Sequence, residues 1–183
     1  MAFKSSICCA VCLGCSFCDT LTIMSGIRVA QINLQHKRTA TLDLCRILNN
    51  GLASVALVQE PYFRRGAFYL ANDVNPSFSA FNIGGMTNAR MMPRACILVN
   101  NAIQASLVLE LTTRDVCVVK LNLTHANVDK TYVYCSAYLP YEEPSPTEDF
   151  KRVVAHCESK GLPLVEVRPH LVQPGEPGIF RVA

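Results

Sequence analysis

Glu60 is the residue whose surroundings most restrict what it can be doing. It closes a run of apolar residues at Val58-Gln59-Glu60-Pro61. A carboxylate in that position is costly to bury alone, so it is either exposed or paired with a cation. Asn33, in Gln31-Ile32-Asn33-Leu34, ends a second apolar run of strand length. If the two runs are neighbouring parallel strands, both side chains could converge on one hard cation. Oxygen donors with few protein carboxylates are a Mg2+ pattern. A third segment, Ser136-Ala137-Tyr138-Leu139-Pro140, also falls at a strand end. Strand ends collect functional side chains because the strand fixes position while the loop exposes the group. Each residue also has a plainer reading: Glu60 as a loop carboxylate, Asn33 as a strand-end cap, Tyr138 as a core aromatic.

The elements that must position these groups alternate from Gly26 onward. Residues 27–34 (IRVAQINL) form a short β-rich run. Residues 39–50 carry Leu44, Ile47 and Leu48 at helical spacing and close on Asn49-Asn50-Gly51, a helix with a glycine stop. Residues 53–59 (ASVALVQ) read as a strand buried on both faces. A strand–helix–strand unit of this kind implies parallel pairing, because parallel strands need a crossover. Residues 61–93 are loop-rich, with Pro61, Pro76, Pro93, Gly84-Gly85 and two aromatic runs. Strands are then expected at 95–100, 104–111, 115–123 and 131–139, joined by short polar turns as in an antiparallel meander. A helix over 146–160 has Ser145 and Glu148 as a capping box, Pro146 in its first turn and Gly161 as its stop. Phe150, Val153, Val154 and Cys157 give it one apolar stripe. Residues 162–167 read as the next strand. Residues 168–183 are rich in Pro and Gly, without periodicity.

With 183 residues, half of them hydrophobic and 17% charged, the chain has the composition of one globular domain. A net charge of +3 permits DNA as a partner without arguing for it. Five of the ten cysteines lie within the first 18 residues and five are scattered singly in apolar segments. The scattered set is the usage of a reducing compartment, nuclear or cytoplasmic, not of a secreted disulfide scaffold. Cys9, Cys12, Cys15 and Cys18 repeat at C-x2-C, but Asp19 follows where the ferredoxin pattern needs another spacing and a proline. No second cluster at zinc spacing follows, no cleavage site supports a signal peptide, and the segment is too short to span a bilayer. Residues 1–25 are therefore expected to be an extension outside the domain. Residues 26–167 form the domain, and 168–183 an irregular tail.

The order of these motifs resembles a known family. I-N-L, then V-Q-E-P-Y, then a strand preceded by Arg94, then S-A-Y-L-P, then a helix leading to G-L-P-L-V is similar to the endonuclease domains of jockey-like non-LTR retrotransposons, members of the endonuclease/exonuclease/phosphatase superfamily. The resemblance covers roughly residues 27–165 and rests on the ordering. It implies a four-layer α/β sandwich of two packed mixed sheets, and a Mg2+-dependent hydrolysis that nicks DNA. It implies Glu60 as the Mg2+ ligand, Asn33 as a polar group beside metal and phosphate, and Tyr138 as a hydroxyl that orients the phosphate. Arg64, Arg65, Arg90 and Arg94 are the cations available to a DNA backbone.

The chain departs from that pattern after Val165. The family places a G-D-x-N-like motif there and an S-D-H motif further on, whose Asp, Asn and His activate water and stabilise developing charge. Here Glu166-Val167-Arg168-Pro169-His170 follows, and no Asp-His pair occurs anywhere. Asp73-Val74-Asn75 lies in the wrong loop. The four histidines have no partner motif, and His156 is expected on the exposed side of its helix. The expectation is a C-terminally truncated, incomplete sandwich with little or no activity. The competing reading is a non-catalytic fragment that binds nucleic acid or protein. A phosphatase acting on small esters is disfavoured by S-A-Y-L-P.

Overall fold

The computed structural model describes residues 20–24 (backbone only), 27–64, 67–68, 76–83, 92–125, 128–139 and 146–166. The cysteines of residues 1–19, Arg65, Arg90, Asp73-Val74-Asn75, Ser145, Val167 and the expected tail 168–183 lie outside these, as does the side chain of Arg64.

Two sheets carry the architecture. The first contains β1 (Thr20–Met24), β2 (Ile27–Asn33), β3 (Val55–Gln59), β6 (Phe78–Phe81) and β7 (Ala95–Asn100), in the order β1-β2-β3-β7-β6. Strands β2 and β3 run parallel, with Asn33 opposite Gln59, and are joined through helix α1 (Arg38–Asn49). The remaining pairs in this sheet are antiparallel. The second sheet contains β8 (Gln104–Leu107), β9 (Val116–His125), β10 (Val128–Ala137) and β11 (Leu164–Glu166), in the order β11-β10-β9-β8. Helix α2 (Glu148–Lys160) makes the crossover to the parallel pair β10–β11. Two short strands, β4 (Phe63–Arg64) and β5 (Ala67–Phe68), form a separate ribbon.

Alternation along the strands builds the layers. On β2 and β3, Ile27, Val29, Val55 and Leu57 face the second sheet, where they meet Cys117, Val119, Leu121 and Tyr134. Their neighbours Ala30, Ile32, Ala56 and Val58 pack instead against Leu44, Cys45 and Leu48 of α1. All five residues of β3 are buried, as a strand covered on both faces requires. On the far side, Phe150, Val153 and Cys157 of α2 cover Val116, Val118, Val133 and Cys135. The result is helix, sheet, sheet, helix: the expected four layers.

Several expectations change. The run of strands from residue 95 is not one meander. β7 pairs with β3 and β6, whereas β8, β9 and β10 make the other sheet. Alternation is the same in either arrangement, so periodicity cannot say which sheet a strand joins. The strand expected over 104–111 ends at Leu107 and tightens into a 3-10 turn at Leu109–Leu111. The segment expected to lie wholly outside the domain supplies an edge strand, since Thr20 to Met24 pair with Gln31 to Ile27. Thr-Leu-Thr-Ile-Met alternates polar and apolar residues, a strand pattern next to the cysteine cluster. Helix α2 starts at Glu148, and its cap is Thr147, whose hydroxyl accepts from the Phe150 amide at 3.4 Å. The Ser145–Glu148 box would need the helix to begin two residues earlier. Gly161 does stop it, at φ 59°.

Candidate functional site

Glu60 sits one residue beyond β3 at φ 46°, in the left-handed region. Gln35 and His36, just past β2, are at 49° and 53°. Such a backbone costs a non-glycine residue about 1–2 kcal/mol, so the surroundings must enforce it. Three contacts do so. The Glu60 amide donates to the Arg94 carbonyl at 2.8 Å, and the Glu60 carbonyl accepts from the His36 amide at 2.9 Å. The His36 ring reaches the Pro61 carbonyl through Nδ1 at 3.1 Å. The ends of β2 and β3 and the start of β7 are thus tied around one carboxylate. Asn33 occupies the last position of β2, and its Oδ1 accepts from the Gln35 amide at 2.8 Å, which shapes the turn.

From the second sheet, Tyr138 follows β10 and is anchored by its amide, which donates to the Asp115 carbonyl at 2.7 Å. Its side chain is half-buried, unlike Tyr134, which fills the core between the sheets. The Glu60 carboxylate is near enough for its charge to act on the Tyr138 hydroxyl across the two sheets. The Arg94 guanidinium lies over the Tyr138 ring, 4.4 Å from its centroid. Its Nε and Nη2 donate to the two oxygens of Asp115 as a fork. The Tyr138 phenol is held above its ordinary range, by desolvation first and then by the Glu60 charge, with Arg94 opposing.

Behind these groups the interface between the sheets is polar. Ser136 Oγ donates to the Val58 carbonyl at 3.1 Å, two residues back along each strand. Gln31 and Gln59 are each only 3% exposed. Gln31 Oε1 and Gln59 Nε2 have no hydrogen-bond partner.

The sequence analysis puts Glu60 and Tyr138 in one site; in the structure they follow β3 and β10 at adjoining ends of the two sheets, two residues beyond the Val58–Ser136 hydrogen bond. Asn33 lies beside them in register, one position from Glu60 across the β2–β3 pair. Arg94 was expected to serve DNA phosphates, but its guanidinium engages Asp115 and Tyr138. Asp115 is the residue that sequence reasoning missed. It stands just before an apolar strand, the mirror image of the position that singled out Glu60. Glu166 is buried in register with Cys135, a residue of the core beneath α2, rather than on the face carrying Ser136. His156 is half-buried, not exposed as expected, and its Nε2 is enclosed without a partner. Among the described residues, no group of three or more His, Cys, Asp or Glu converges as a metal cage. The donors present are a carboxylate and an amide oxygen. That set fits a hard cation that keeps several waters, and does not fit zinc.

In comparisons with known proteins, no family model and no curated protein matches the chain. Solved structures do. The endonuclease domain of TRAS1, a telomere-specific non-LTR retrotransposon, is 28% identical with a TM-score of 0.57, over 77% of this chain and 58% of that one. Humanized D. rerio TDP2 is 12% identical with a TM-score of 0.50, over 80% of this chain and 62% of that one. Both are endonuclease/exonuclease/phosphatase folds. The chain spans less than two thirds of either.

Proposed function

We propose that this chain, which has the endonuclease/exonuclease/phosphatase fold over part of that fold's length, descends from a retrotransposon DNA endonuclease and keeps the part of the site that holds a divalent cation and orients a phosphate. The observation that carries the reading is the hydrogen bond from Ser136 Oγ to the Val58 carbonyl, which fastens the two sheets two residues before Tyr138 and Glu60. A carboxylate and a donor hydroxyl at these adjoining strand ends, with Asn33 paired one position from Glu60, support a shared cation and phosphate site. The 28% identity with a retrotransposon endonuclease supports the same branch.

In this reading Glu60 and Asn33 supply the protein's oxygens to Mg2+, and Tyr138 holds either the free carboxylate oxygen or an oxygen of a DNA phosphate. Bound Mg2+ would polarise the phosphate and lower the pKa of its water. Glu60 enters preorganised, because its backbone is tied through both its amide and its carbonyl. A water-activating base is a separate requirement. Neither the described residues nor the sequence after Val165 supplies one in the family's pattern.

Calorimetric titration with Mg2+ and Mn2+ tests the proposal. Binding at one site, abolished by Glu60→Ala and weakened by Asn33→Ala, is the expected result. Equal binding by Glu60→Ala would remove the assignment.

A further inference from the structure

We infer that Arg94 and Asp115 form a positioning pair for Tyr138: Asp115 grips the guanidinium in a fork, the guanidinium covers the Tyr138 ring, and the ring is thereby held in one orientation where the strand ends of the two sheets meet. The inference deepens the proposed function, and it rests on that reading for what the held hydroxyl is for.

The geometry makes the pair unlike a surface ion bridge. Arg94 precedes β7 in the first sheet, and Asp115 precedes β9 in the second. Their side chains are 23% and 26% exposed, so neither is freely solvated. The backbones are fastened at the same place. The Arg94 amide donates to the Arg114 carbonyl at 2.7 Å, and the Tyr138 amide donates to the Asp115 carbonyl at 2.7 Å. Asp115 therefore holds Tyr138 twice, by its carbonyl directly and by its carboxylate through Arg94. The Arg94 carbonyl, in turn, receives the Glu60 amide at 2.8 Å. Four residues are thus linked in series: Glu60 to Arg94 by backbone, Arg94 to Asp115 by the fork, and Asp115 to Tyr138 by backbone.

A half-buried tyrosine at the end of a strand has free rotamers unless something covers its face. A planar guanidinium does this and a lysine ammonium does not, because only the former stacks and forks at once. The site thus reserves an arginine for shape. Its charge is already matched by Asp115, which argues against a primary role on DNA phosphates.

The test reads the Tyr138 side-chain rotamer and needs no divalent ion. Tyrosine-labelled protein is studied by NMR, with Tyr138 assigned from its absence in Tyr138→Phe. The χ1 couplings of Tyr138 should report one rotamer in the unaltered protein. Arg94→Lys, which keeps the charge, and Asp115→Asn, which keeps the shape but frees the guanidinium, should each give averaged couplings, while the core Tyr134 keeps one rotamer. A single Tyr138 rotamer in either folded variant would overturn the pair's role. A single rotamer in the unaltered protein with no cation binding would instead sink the cation reading, and the two failures are therefore distinguishable.

Discussion

At the scale of single residues, Glu60 combines a functional side chain with an unfavourable backbone. Its φ of 46° is a conformation that glycine adopts without cost. Replacing the side chain should separate the two contributions. Glu60→Gly should be more stable than Glu60→Ala by roughly 0.5–1 kcal/mol in urea denaturation, because alanine keeps the left-handed strain. Alanine equal to or better than glycine would mean that the strain is absent. Glu60 was legible in the sequence because an ionisable group closing an apolar run stands out in one dimension. The Arg94–Asp115 fork was not, because its members lie 21 residues apart and meet only when two sheets pack.

At the scale of elements, helix ends illustrate how local chemistry is read and misread. Thr147 and Ser145 are both plausible caps, and the choice depends on where the chain turns into α2. The Thr147 hydroxyl caps the Phe150 amide, so Thr147→Ala should cost about 1 kcal/mol of stability. An unchanged urea midpoint would show that the cap contributes nothing. At the other end Gly161 is left-handed, with nothing within 4 Å of a built Cβ. Gly161→Ala should therefore cost about 1 kcal/mol through backbone strain alone, without any clash. Thermal denaturation of the two variants, with Glu158→Ala at an exposed position of the last turn as control, checks both.

At the scale of the whole molecule, the buried thiols and phenol predict a pH dependence. Burial pushes Cys96, Cys117 and Cys135 above their ordinary value of 9.0, and Tyr134 from 10.0 to about 12. In each case the folded state keeps a proton that the unfolded state releases. Their stabilisation is fully present below pH 9 and is lost as pH rises through the raised folded values. The urea midpoint, measured under reductant, should fall steadily from about pH 9 upward. A flat profile to about pH 11 would mean that these groups are not enclosed as described. The 183-residue chain should also fail to nick supercoiled plasmid in Mg2+ above a Glu60→Ala control. Cation and phosphate contacts do not replace a base and an oxyanion donor within about 3 Å of the reacting atoms. Nicking that requires both Mg2+ and Glu60 would show that another residue completes the site. No helix among the described residues is long and apolar enough to cross a membrane.

The sequence by itself determined the strand–helix–strand unit, the burial of β3 on both faces, the apolar stripe of α2 and the strand-end positions of Asn33, Glu60 and Tyr138. All of these follow from periodicity, breakers and residue type within one short window. Only the tertiary structure decided that β7 belongs to one sheet and β8 to the other. It also decided that Thr20–Met24 supplies an edge strand, and that Arg94 faces Asp115 and Tyr138. The physical reason is common to these cases. Strand partners and side-chain forks are selected by packing between segments distant in the chain, and an alternating pattern is satisfied equally well by either sheet.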